Sequence, residues 1–131
     1  MSRENVELAR EGIDAVNRRD ADALVDVCHP DIEFEAYFSQ VLGGTFRGHS
    51  GMRAYLREVQ ETFLEFVIEI ERIEDRGDLV VAQMRAHGRG VSGVDVSWQA
   101  VVATRFRNGK AWRMASHPSE QEALEAVGLS E

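Results

Sequence analysis

Cysteine is nearly absent: Cys28 is the only one in 131 residues, which excludes an internal disulfide and leaves no thiolate set for zinc. Long apolar runs are missing too, since no stretch reaches the roughly 18 residues that suggest a spanning helix. The opening MSRENVELAR enters an amphipathic pattern at once, without a signal-like apolar core. Neither export nor membrane insertion is expected, and cytoplasm is the expected compartment. Clustered positive charge is the third lack. Fifteen Lys and Arg, of which only Arg18 and Arg19 are adjacent, stand against 23 Asp and Glu for a formal charge of -8, so nucleic acid and membrane surfaces are not expected partners. Gly43-Gly44 is too short for a phosphate loop, and the four histidines fall on four separate elements. No cofactor and no metal are expected.

What is present suits a soluble globular chain: 44% hydrophobic and 29% charged residues. The length points to one domain over 1–131. Its longest alternating run is VDVSWQAVVATRF, residues 94–106, with Trp98, Ala100, Val102, Thr104 and Phe106 on one side and Asp95, Ser97 and Gln99 on the other. A period of two with one apolar face is a strand covered on one side. Val6, Ala9, Ile13 and Val16 give a helical stripe over residues 3–18, Asp20 caps a second short helix that Pro30 stops, and Met52, Leu56, Val59 and Phe63 mark a third from Ser50. Strands are expected at Ile32 to Ala36, Leu64 to Ile70, Leu79 to Gly90 and Lys110 to His117, with residues 39–48 a loop and Asn108-Gly109 a hairpin turn. Ser119-x-x-Glu122 and Gly128 bracket a last short helix. The expected class is α+β, with the helices on one face of a curved sheet.

Five stretches carry a resemblance: AVNRRDADALVDVCHPDIEFE, FRGHSGMRAYL, DRGDLVVAQMRAHGRG, TRFRNGKAWRM and QEALEAVGL. A helix ending in Asn-x-x-Asp, a Pro-Asp before the first strand and a Gly-x-x-Gly before the third helix come in this order. Together they resemble the SnoaL-like branch of the nuclear transport factor 2-like superfamily, whose ketosteroid isomerase-like and polyketide cyclase-like members share a cystatin-like layout. The resemblance implies a cone-shaped α+β barrel, a curved, mixed but mostly antiparallel sheet wrapped around helices, with a pocket at the open end and dimerisation through the outer sheet face. It implies no single activity, because the fold hosts isomerases, cyclases, hydrolases, dehydratases and binders. The positions matching the isomerases' three functional groups are Gly12, Ala36 and Val102, which supply neither base nor oxyanion donor. The cyclases' late acid falls at Ser116, and the Asp95 and Arg105 that an epoxide hydrolase would need inward have outward parity.

The candidates for acid or base are therefore His117, at the end of the last strand, His29, at the end of the second helix, and Glu35, on the first strand. A pocket wall is expected from Tyr55, Met84, Trp98, Val102, Met114 and Ser116, with Tyr55 and Ser116 as its orienting polar groups. Two readings from different classes stay open. One is a binder of a small hydrophobic molecule in an apolar pocket. The other is an isomerase or polyketide-cyclase type of enzyme using a pocket His or Glu. Val101 and Ala103, apolar on a face otherwise formed by Gln83, Arg85, His87, Arg89 and Gln99, are expected in a two-fold homodimer contact.

Overall fold

A computed structural model describes residues 2–36 and 45–128, with side chains from Glu4. The elements run α1 (Ser2–Arg18), α2 (Ala21–Asp26), β1 (Cys28–Glu35), β2 (Thr45–Arg47), α3 (Gly48–Thr62), β3 (Phe63–Asp75), β4 (Leu79–Gly90), β5 (Asp95–Arg107), β6 (Lys110–His117) and α4 (Glu120–Ala126). The six strands form one open sheet in the order β2-β1-β6-β5-β4-β3. The β1 to β6 pairing is parallel and all others are antiparallel.

The Asn-x-x-Asp motif at the end of α1 has two structural tasks. The Asn17 side chain donates to the Ile68 carbonyl at 3.0 Å and accepts from the Ile68 N–H at 2.8 Å, clamping α1 to edge strand β3. Three residues on, Asp20 accepts from the Ala23 N–H at 3.1 Å and starts α2. The hairpin at Asn108-Gly109 has φ of 54° and 73°, the sign that a tight two-residue turn needs at both positions. Ser119 caps α4 by accepting from the Glu122 N–H at 3.2 Å.

One face of the sheet carries α1, α2 and α3, through Ala15, Val16, Leu24, Met52, Leu56 and Val59 against Ile32 and Phe34. The other carries α4, which corrects the expectation that all helices share one face. Ala123 and Val127 of α4 lie on Leu79, Val81, Val101, Ala103 and Ala115, and Arg76 ties the start of α4 down through Glu120 at 3.0 Å. Val101 and Ala103 are thus buried within the chain, and the need for cover that motivated a dimer at those two residues is met by α4.

Other boundaries shift for local reasons. β1 begins at Cys28 and contains Pro30, which the irregular register between Cys28 and Glu33 accommodates. His29 is therefore in a strand and not at a helix end. Thr45–Arg47, read as loop, is a strand because it pairs with β1, Phe46 opposite Phe34; residues 39–44 of that loop lie outside the described residues. α3 starts at Gly48, whose φ of 71° turns the chain out of β2, so Ser50 sits inside the helix and does not cap it. A register shift between Phe63 and Glu65 turns Leu64 out to solvent at 55% exposure. Val94 and Val96 are exposed too, beyond the buried part of β5.

Candidate functional site

Between the helices and the inner face of the sheet lies a cavity of about 100 Å³. It is hollow because the inward positions are small where a solid core would need bulk: Ala82 and Ala86 on β4, Ala100 on β5, Gly12 on α1 and Ala36 after β1 all line it. Leu8, Ile13, Phe34 and Phe106 close the walls. Near the start of β3 the cavity meets an aromatic cluster, with Phe66 at 5.1 Å from Phe63 and 5.9 Å from Trp98 between ring centroids. Gly88 makes that cluster possible, because a Cβ there would stand 2.6 Å from the Phe63 ring.

The six residues expected on a pocket wall, Tyr55, Met84, Trp98, Val102, Met114 and Ser116, all line this one cavity. So do Gly12, Ala36 and Val102, the positions that match the isomerases' functional groups. Thr104 and Cys28 also line it. Thr104 carries the same parity as Trp98 and Val102, and that signal was available in the sequence; Cys28 stood hidden behind the expectation of a helix there. The described lining residues carry no carboxylate, imidazole, ammonium or guanidinium. Their only titratable groups are the Cys28 thiol, which burial pushes up to about 12 against the lowering influence of Lys110, and the Tyr55 phenol, which burial and then the Glu58 charge push upward. Tyr55 meets Phe34 and Phe46 edge-on at 4.9 and 5.5 Å.

The three acid-base candidates do not line the cavity. His117 and Glu35 do come together: the His117 Nε2 lies 2.5 Å from Glu35 Oε2. Their parity puts them on the outer face, since Ser116 and Phe34 point inward and His117 pairs with Val101 in the β5–β6 ladder. His29 accepts from the Asp31 N–H through Nδ1 at 3.0 Å, a local turn contact. His49, exposed on α3, donates from Nε2 to the Cys28 carbonyl at 2.8 Å. His87 lies outward between Glu69 and Ser97, 3.3 Å from each. Arg105 is outward as well, donating to the Val127 carbonyl at 2.9 Å and so fixing the end of α4.

A sheet of this order, packed over three helices around an apolar cavity, is an α+β fold shared with nuclear transport factor 2-like and cystatin-fold proteins. The profile of the SnoaL-like domain family matches residues 9–114, and the chain belongs to that family. No curated protein matches the sequence. Among solved structures, a nuclear transport factor 2-like protein of unknown function from Burkholderia pseudomallei is 24% identical, with a TM-score of 0.80 over 95% of this chain and 98% of its own. TerC, co-crystallised with polyporic acid, is 23% identical with a TM-score of 0.79 over 95% and 98%. A protein from Jannaschia sp. assigned as a SnoaL-like polyketide cyclase is 18% identical with a TM-score of 0.76 over 99% and 95%.

Proposed function

We propose that residues 1–131 form one SnoaL-like domain that binds a small hydrophobic, ring-bearing molecule and performs no acid-base chemistry on it. The observation that carries this reading is the cavity wall. Twin conditions for proton transfer, a group with a pKa near the working pH and a place within reach of the reacting atom, are met by none of the described lining residues. A pocket that is mostly apolar with a few hydroxyls is the usual make-up of a ligand site. That TerC, of the same fold, was crystallised with polyporic acid supports an organic occupant for such a site. The enzyme reading would need His117, Glu35 or His29 at the cavity, and their side chains stand elsewhere.

The reading extends to a cytoplasmic homodimer. The outer-face residues Gln83, Arg85, His87, Arg89 and Gln99 offer a polar two-fold contact beside α4, and light scattering at micromolar concentration tests it by mass. Ligand binding is tested with Trp98 as the reporter. In a Trp112→Phe background, aromatic polyketide-like compounds should change the remaining emission. Val102→Trp should abolish that response while the protein still unfolds cooperatively. Loss of the fold in that variant would mean that the region is ordinary core.

A further inference from the structure

Thr104 is only 5% exposed and lines the cavity. Among the described residues its hydroxyl has no hydrogen-bond partner, and neither has the hydroxyl of Ser116 on the same wall. A buried hydroxyl left unpaired destabilises the fold, and native proteins keep few of them unless something outside the chain completes the bond. The register brings the two together. Thr104 stands opposite Met114 and Ser116 opposite Val102, which makes the hydroxyl-bearing residues diagonal neighbours, roughly 7–8 Å apart, on the inner face of β5 and β6. The next rungs are Ala82 opposite Val102 and Met84 opposite Ala100, small enough on the alanine side to leave room for a ring. Among the described residues none that lines the space is charged, so an ion entering it would lose its hydration without gaining a counter-charge from them.

Building on the reading that the cavity takes a small molecule, we propose that it selects uncharged ring compounds bearing a carbonyl or hydroxyl oxygen. The Thr104 and Ser116 hydroxyls hydrogen-bond that oxygen, and the ring lies along Ala82, Ala100 and Val102. Thr104 is then a specificity determinant retained at a cost to the empty protein.

The test is calorimetric titration of the whole chain with 1-indanone, indane and indane-2-carboxylate. Wild type, Thr104→Val and Ser116→Ala are compared, and each is melted without ligand. Indanone should bind wild type and weaken about three- to ten-fold in each variant, the range of a single hydrogen bond. Indane should bind and not weaken. The carboxylate should bind at least about ten-fold less tightly than the ketone, as an unpaired charge requires. The empty Thr104→Val protein should melt higher than wild type, because a methyl replaces an unpaired hydroxyl. Ser116→Ala keeps the comparison open should the Thr104 variant misfold. Equal losses for indanone and indane, no loss for indanone, or a carboxylate that binds as tightly as the ketone would overturn the oxygen recognition while leaving the cavity reading in place. Failure of all three probes to bind wild type at millimolar concentration would overturn both.

Discussion

Val102 and Ala103 are neighbours on β5, yet one lines a cavity and the other lies fully buried beneath α4. The two faces of one sheet have been finished in opposite ways. The inner face is apolar and left partly empty, with small residues at the rungs where a ligand would lie. The outer face, where α4 covers it, is apolar and filled by Ala123 and Val127, and elsewhere carries ion pairs such as Arg85 to Glu71 and Arg89 to Glu65. The described His–Glu pairs, His117 with Glu35 and His87 with Glu69, both stand on the outer face. Parity within a strand therefore separates a hollow face from a filled and ion-paired one here.

The largest effect expected from that separation is catalytic. Wild type should leave 3-oxo-Δ5 steroids unisomerised, because Gly12, Ala36 and Val102 leave the described cavity wall without a general base, a group worth about two or more orders of magnitude in rate. Steroid-enone absorbance reads this directly. Turnover well above the buffer rate would mean that an outer-face group reaches the cavity and that the two faces are not separate.

Next in size is a matched pair of substitutions. Ala103→Trp must displace α4 and should cost about 3 kcal/mol or prevent folding, at the upper end for overpacked cores. Val102→Trp, one residue away, adds an indole to open space and should cost less than about 1 kcal/mol. Urea unfolding midpoints compare them, and similar losses for both would erase the distinction between a filled and a hollow face.

The smallest effect lies in pH. The native state holds the Cys28 proton more tightly than the unfolded chain does, with a pKa of about 12 against an ordinary 9.0. Its contribution is fully present below pH 9, and stability should fall as pH climbs from 9 towards 12. The slope should be shallower in Cys28→Ala, measured by denaturant unfolding at pH 8 and pH 10.5. Across pH 5 to 8 neither described titratable group of the cavity changes charge, so binding of an uncharged ligand should stay constant there.

Much of this was legible in the sequence because strands β4, β5 and β6 alternate cleanly and are long. Parity puts Trp98, Val102, Met84, Met114 and Ser116 on one face, and it is the family resemblance that makes this face a pocket wall rather than plain core. The same parity puts His117 outward, next to the inward Ser116. β2 was not legible, since three residues with a single apolar side chain, Phe46, have no period, and its strand character comes from β1 beside it. Which layer covers Val101 and Ala103 was hidden for another reason. Alternation tells that a face is buried and is silent on whether a helix of the same chain or a second molecule does the burying. Thr104 shares the parity of Trp98 and Val102, but a lone strand threonine carries no further signal in the sequence, because its hydrogen-bond partners are visible only in the fold.

The parallel pairing of β1 with β6 also fixes when the molecule can work. Glu35 and His117, joined across that pairing, are 82 residues apart in the chain, and contacts so distant in sequence are slow to form. Synthesis runs from the N-terminus, so α1, α2 and β1 leave the ribosome long before the strand that seats between β1 and β5. Until β6 arrives, Met114 and Ser116 are missing from the wall and the sheet is split into β2-β1 and β5-β4-β3. Nascent chains arrested before Lys110 should accordingly be digested as readily as denatured protein, and those released beyond His117 should become resistant. The inner wall is therefore complete only once β6 has seated, and a ligand meets no whole site before then.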